Sequence, residues 1–295
     1  MKKILILGGS GFIGRNLVEY FIKQPTQYDV SAPSIRELDL MDSESVDSFF
    51  VKHNFDVVIF AVNYGNYRVD DPSQEILKKN LMMFFNLVKK GNSFGRMIFL
   101  GSGAEYDRSR DVVCAKESDF GKNMPSDDYG FYKYVCSKYI ENSSNILNLR
   151  LFGVFGKYED YSNRFISNMI CRKIKGLPLS IKKNRVMSYV YVDDLAKIIE
   201  HFILNVPRHK FYNVSSGENL DLVKIAEIIR QIHPSSPGVS NIEIVNEGFD
   251  KVYTCDFSLL TREVIGVKIT PMIKSIHELY AWYVKNIDSI KEETL

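Results

Sequence analysis

The order of apolar runs along this chain predicts an α/β fold: a doubly wound parallel sheet with a smaller C-terminal α/β region interleaved with it. Three observations carry that prediction. Short runs of β-branched and apolar residues alternate with longer stretches of helical period, the arrangement that buries a parallel sheet between helices. A glycine-rich loop joins the first such run to the first helical stretch. With 295 residues, 45% of them apolar, the chain can bury a large core, as one domain or as two that share an interface.

Lys3 to Leu7 is the first predicted strand and Phe12 to Lys23 the first helix, its Val, Tyr, Phe and Ile side chains spaced to cover one face of a sheet. Asp29 to Ala32 is a weak strand, Asp56 to Ala61 a strong one and Met97 to Leu100 another, with helices near Ser43 to His53 and Ser73 to Lys90 between them. A helix from Asp127 to Asn142 leads into the strand Ile146 to Leu151. Beyond it the alternation weakens: a stretch rich in Gly, Pro and charge, Gly153 to Arg185, precedes a strand-like run at Ser188 to Val192, and helices recur at Asp194 to Leu204 and Leu220 to Ile232. These boundaries predict a first unit over 1–152, with 186–212 returning to it, and a second, threaded unit over 153–295.

The formal charge is only +2, and no basic run marks a nucleic-acid groove or an anionic membrane surface. Nucleic-acid and membrane partners are therefore not expected. Cys114, Cys136, Cys171 and Cys255 lie far apart, without CxxC or zinc-site spacing; they are read as reduced structural thiols, and no metal site is expected. The five histidines, including His233, form no constellation and are read as structural. The apolar start is too short for a signal sequence and no run reaches membrane-spanning length, so the expectation is a soluble cytoplasmic protein.

In the segment Gly8-Gly-Ser-Gly11-Phe12-Ile13-Gly14, glycines recur at the turn from strand to helix. Gly8 permits the tight turn, Gly11 lets the backbone approach a pyrophosphate, and Gly14 lets the helix pack on the strand, while the N–H groups around Phe12 and Ile13 face the anion. A glycine triplet alone also fits an unliganded loop; the apolar strand before it and the amphipathic helix after it favour a dinucleotide site of Rossmann type. Counting from the second strand, the cofactor-selecting position falls near Ser34, with Arg36 two residues on and no carboxylate found there. That pair suits a 2′-phosphate better than two free hydroxyls, which favours NADP slightly over NAD. Asp39 and Leu40 are placed near the adenine, and Ala61 and Val62 near the pyrophosphate and ribose.

Tyr129 and Lys133 are four residues apart on the predicted helix, hence on one face and about one turn apart. A phenol of ordinary pKa is a poor acid–base catalyst near neutrality, and an adjacent ammonium favours its phenolate. Ser102 directly follows a strand whose carboxyl end opens on the ligand crevice, where its hydroxyl can hold a carbonyl or alkoxide beside the tyrosine.

With the glycine loop, Gly101-Ser-Gly-Ala-Glu-Tyr-Asp107, Tyr129 with Lys133, and Tyr191-Val-Asp-Asp194, the sequence resembles the extended short-chain dehydrogenase/reductases, the NAD-dependent epimerase/dehydratase family, over almost its whole length. The resemblance implies Ser102, Tyr129 and Lys133 as catalytic residues, a Rossmann domain with a smaller sugar-nucleotide-binding domain, Asn80 near the cofactor side of the site, and a homodimer through helices near Ser73–Lys90 and Asp127–Asn142. The sugar 4,6-dehydratases of the family carry an acidic pair after the catalytic hydroxyl residue; here Gly103 and Ala104 stand there. The chain is more similar to nucleotide-sugar 4-keto-6-deoxyhexose reductases such as CDP-abequose synthase. A 4-epimerase with retained NAD, and a silent nucleotide-binding scaffold, stay open as alternatives. Arg164 and Arg185 are candidates to clamp a substrate diphosphate, and Tyr106 and Asn163 to touch the sugar or phosphate.

Overall fold

A computed structural model of the protein describes residues 1–65, 75–232 and 241–295. The chain runs through β1 (Lys2–Leu7), α1 (Phe12–Phe21), β2 (Tyr28–Ser31), α2 (Ser43–Lys52), β3 (Phe55–Phe60), α3 (Ile76–Val88), β4 (Phe94–Ser102), β5 (Val112–Ala115), α4 (Asp128–Glu141), β6 (Ile146–Leu151) and β7 (Gly153–Phe155). It continues with α5 (Phe165–Ile174), β8 (Leu179–Asn184), β9 (Val186–Tyr191), α6 (Val192–Leu204), β10 (Phe211–Val214), β11 (Asn219–Asp221), α7 (Leu222–Gln231), β12 (Ile242–Phe249), β13 (Tyr253–Cys255), α8 (Ser258–Glu263) and α9 (Met272–Lys285).

β10, β6, β4, β3, β1 and β2 form, in that order, a parallel sheet. Its strands are continuous apolar runs because both faces are covered. Ile4, Ile6, Val57, Ile59, Ile98 and Leu149 face α1 and α6, whereas Leu5, Val58, Phe60, Met97 and Phe99 face α2, α3 and α4. The chain leaves β1 for β2 on one side and returns to β3 on the other. That reversal opens a crevice at the carboxyl ends of β1 and β3, where ligands of doubly wound sheets bind.

A second sheet orders β11, β9, β13 and β5, with β7 also paired to β9, and β12 pairs with β8 in a two-stranded sheet. α5, α7 and α9 close its core around Phe155, Ile170, Ile225 and Leu279. The stretch expected to return to the first unit divides. β9 stays in the second sheet, paired with β7, β11 and β13, while α6 packs against α1 and β10 docks on β6. The predicted helix near Ser73 begins at Ile76; Ser73 and His233 lie outside the described residues. Cys136, Cys171 and Cys255 are buried free thiols and Cys114 is an exposed one. Among the described residues no helix is long and apolar enough to cross a membrane.

Candidate active site

The glycine loop has the shape its sequence implies. Gly8 adopts φ +83°, and a Cβ there would lie 2.8 Å from the Ala61 carbonyl oxygen, so the loop lies directly against the end of β3. A Cβ on Gly14 would overlap the Gly8 carbonyl, while one on Gly11 would meet only that oxygen, at 3.4 Å. The space beyond Gly11 is thus open. No side chain caps α1, and no acidic residue occupies its first turn. The N–H groups at Phe12, Ile13 and Gly14 accordingly suit an anion, through both their hydrogen bonds and the helix dipole.

The adenosine rim differs from the expectation. Ser34 donates both its N–H and its hydroxyl to Glu37, at 2.7 and 2.8 Å. A carboxylate therefore stands at the end of β2 beside Arg36, although none was expected, because it lies beyond the residues a strand count reaches. Leu40 is buried with Val46 and Phe50, and its carbonyl accepts from Asn86 at 3.0 Å; as a core residue it has no side chain to offer an adenine. Asp39 accepts from the Met41 N–H and braces the turn. Ala61 and Val62 do border the glycine loop. Asn80 is buried and holds the segment after β3, accepting from the Tyr64 N–H and donating to the Tyr64 and Ile76 carbonyls.

Ser102, Tyr129 and Lys133 converge on the end of β4. Asp127 caps α4 by accepting from the Gly130 N–H at 3.0 Å, which brings Tyr129 into the first turn. A Cβ on Gly130 would lie 3.0 Å from the Ala104 carbonyl oxygen, so the helix start is packed on the segment that follows Ser102. The buried Lys133 ammonium donates to the Leu100 carbonyl at 2.6 Å and lies 5.9 Å from the Tyr129 ring centre. Its burial pushes its pKa down to about 8, because the charged form is desolvated. Ser102 Oγ accepts from the Ala104 N–H at 3.1 Å, which leaves the hydroxyl hydrogen to be donated. Tyr132, one turn-face away, bonds Asn63 after β3 and ties the serine wall to the glycine-loop side.

Behind the serine lies a buried polar cluster that sequence reasoning missed. Glu105 accepts from the Ser102 N–H at 3.1 Å, from Ser137 Oγ at 2.6 Å and from Arg150 Nε at 2.6 Å. Arg150 sits between the Phe120 and Phe211 rings, 4.3 and 4.6 Å from their centres. A charge pair spanning β4, α4 and β6 has no local sequence signature. Tyr106 belongs to this interior: its hydroxyl donates to Asn213 at 2.7 Å and accepts from Arg150 at 3.1 Å. The expectation that Tyr106 meets a substrate fails for that reason.

Two further side chains reach the serine wall. A Cβ on Gly103 would lie 2.6 Å from the Tyr253 hydroxyl and 2.8 Å from the Phe152 ring. Arg108 grips both carboxylate oxygens of Asp127, at 3.1 and 2.8 Å, with its guanidinium 5.4 Å from the Tyr129 ring centre. The candidate substrate residues belong to segments next to α5, β8 and β9. Asn163 donates to Asp160 and Ser162, and Arg164 precedes α5 with Glu159 at 3.8 Å. Arg185 joins β8 to β9, and its Nε is buried without a hydrogen-bond partner.

The profile of the NAD dependent epimerase/dehydratase family matches residues 4–215. The chain belongs to that family. Among curated relatives, GDP-L-colitose synthase of Yersinia pseudotuberculosis is 21% identical over 254 residues, covering 78% of this chain and 82% of that protein. The dTDP-4-dehydro-6-deoxyglucose reductase of Escherichia coli is 23% identical over 260 residues, covering 77% and 80%. RMD from Pseudomonas aeruginosa, solved in complex with NADPH, shares the fold with a TM-score of 0.81 at 19% identity, covering 97% of this chain and 98% of that one. The family profile stops short of β13, so Tyr253 belongs to a part of the epimerase/dehydratase chain that it does not describe.

Proposed function

We propose that the protein uses NAD(P)H to reduce the C4 keto group of a nucleotide-diphosphate 4-keto-6-deoxyhexose, in deoxysugar or surface-glycan biosynthesis. The observation that carries this reading is Gly103. A side chain there would collide with Tyr253 and Phe152, and its neighbour Ala104 is buried, so the wall beside Ser102 has no place for the acid and base that sugar dehydration needs. The relatives' names, a synthase of a deoxysugar nucleotide and a 4-dehydro-6-deoxyglucose reductase, point the same way.

The glycine loop with the uncapped α1 is the fitting cradle for the pyrophosphate of a nicotinamide dinucleotide, and such a dinucleotide, when bound, supplies the hydride. Tyr129 gives its phenolic proton to the C4 oxygen as charge develops there, and the Ser102 hydroxyl donates to the same oxygen. Both groups are fixed beforehand, Ser102 by its bonds to Ala104 and Glu105 and Tyr129 by the capped start of α4, so little reorganisation accompanies the reaction. Lys133 keeps a cation within reach of Tyr129. Arg164 and Arg185, with Asn163, are proposed to hold the nucleotide diphosphate. A homodimer through α3 and α4, where Met82 and Tyr139 are exposed, completes the proposal.

The test follows NADPH and NADH absorbance with dTDP-, CDP- and GDP-linked 4-keto-6-deoxyhexoses. Stoichiometric oxidation is expected with one of them, lowered by about 10²–10⁴-fold in Tyr129→Phe. Absence of oxidation with every ketosugar, combined with tightly held NAD in the purified protein, would replace the reductase with a 4-epimerase.

A further inference from the structure

Beyond the three residues implied by the family, a fourth group bears on Tyr129. Arg108 belongs to the segment that continues β4 past Ser102. Its Nε and one terminal nitrogen donate to the two carboxylate oxygens of Asp127, the fork geometry in which a guanidinium is held most rigidly. Asp127 is itself fixed, since it caps α4 one residue before that helix begins. The guanidinium is therefore anchored to the same turn that carries Tyr129, with its carbon 5.4 Å from the ring centre. Tyr253 from β13 acts electrostatically on the same guanidinium as Tyr129 does, and the Tyr253 hydroxyl points to the position of Gly103 beside Ser102.

Lys133 alone is a weak source of charge for this phenol. It lies 5.9 Å from the ring centre, donates to a backbone carbonyl, and is buried. Burial brings its own deprotonation down to about pH 8, so its charge fades below the pH of about 10 at which an ordinary phenol ionises. Arginine does not lose its charge in any accessible range.

We propose that Arg108, fixed by Asp127, is a positioning residue that acts as the second cation on Tyr129 and stabilises its phenolate. Among the described residues, the charged and titratable groups around the phenol are Asp127, Tyr132 and Lys133 from α4, Asp107 and Arg108 from the segment after β4, Glu105 behind it and Tyr253 from β13; the Tyr132 ring centre lies 5.6 Å from that of Tyr129. Asp107 is engaged by Arg110 at 3.2 Å and Glu105 by Arg150 at 2.6 Å, whereas the Arg108 guanidinium lies 5.4 Å from the Tyr129 ring centre. The inference deepens the proposed reduction, in which Tyr129 is the proton donor. Its sign is definite: without the guanidinium the phenol keeps its proton to higher pH, and the alkaline fall of kcat for reduction moves upward.

The experiment titrates Tyr129 directly in the full-length chain without added cofactor, by the ¹³C signal of the tyrosine ring carbon that bears the hydroxyl, assigned by its loss in Tyr129→Phe. Arg108→Gln is expected to move the midpoint upward by about one pH unit, while Arg108→Lys, which keeps the charge without the fork, moves it less; the alkaline limb of kcat follows the same pattern. Identical midpoints in wild type, Gln and Lys variants would overturn the inference, as would equal displacement in both variants. Should Arg108→Gln fail to fold, Asp127→Asn keeps an oxygen for the helix cap but removes the counter-charge. Its midpoint is expected to fall, and one that rises or stays in place overturns the inference. A displaced midpoint in a protein that reduces no ketosugar would leave the inference standing and remove the reductase reading.

Discussion

The six-stranded and the five-stranded sheets are made in different ways from the same chain. In the first, β1, β3, β4 and β6 stand side by side in chain order, with α1, β2 and α2 linking β1 to β3, α3 linking β3 to β4 and α4 preceding β6, and their side chains are buried on both faces. In the second, β5 at Val112–Ala115 pairs with β13 at Tyr253–Cys255, and β7 and β11, of three residues each, flank β9. The first sheet is specified by local pattern, the second by contacts between distant segments. The proposed site residues divide along the same line. The glycine loop, Ser102, Tyr129 and Lys133 stand on the first sheet and its helices, whereas Arg164, Arg185 and Tyr253 come from the elements of the second. Substitutions in the first should therefore alter catalysis or stability for any substrate, and those in the second should alter which substrate is taken.

The largest expected effect is in the first sheet, behind Ser102. Arg150→Met leaves Glu105 buried without its charge partner, which costs about 3–5 kcal/mol, read as a lowered urea midpoint. An unchanged midpoint would show that the first sheet does not depend on this pair. A smaller effect concerns Lys133. An unfolded lysine binds its proton up to about pH 10.4, whereas the buried one releases it near about 8. The unfolded chain thus binds more protons between those values, and wild-type stability rises with pH across that window. Lys133→Met should abolish turnover yet be the more stable protein at pH 7, with the pH dependence in that window removed; unfolding curves at several pH values decide.

On the second sheet, Arg185→Met is expected to raise KM for the nucleotide sugar by roughly 10- to 100-fold, the worth of one or two hydrogen bonds to a charged group, with kcat preserved. Unchanged KM and kcat would put Arg185 outside the substrate site. The smallest change is at the cofactor rim. Glu37→Gln removes a negative charge that Ser34 holds in place and should shift the ratio of kcat/KM toward NADPH by a few-fold; an unaltered ratio would separate Glu37 from cofactor choice.

What was legible follows from the same contrast. The glycine loop was readable because steric need fixes glycine at each position, and the strands around it because apolar runs between helical stretches have one sensible arrangement. Ser102, Tyr129 and Lys133 were singled out by spacing, by position on elements and by the family resemblance, which is what gives them their proposed roles. Arg108, Glu105, Arg150 and Tyr253 were not, since each acquires its meaning from a partner brought close only by the fold. The same holds for β5 and β13, whose pairing spans more than a hundred residues and leaves no period to detect. Tyr106 shows the converse: its place near the serine suggested contact with a ligand, but its hydroxyl is taken by Asn213 and Arg150.

The central claim, reduction at C4 on the Ser102 wall, is tested most directly by isotope transfer. The protein would be incubated with nicotinamide cofactor deuterated at its transferable position and a 4-keto-6-deoxyhexose nucleotide, and the product examined by NMR. Deuterium bound to C4 of a released 6-deoxyhexose nucleotide, with one cofactor oxidised per sugar, is the predicted result. A product formed without deuterium at C4 and without net oxidation would contradict the account.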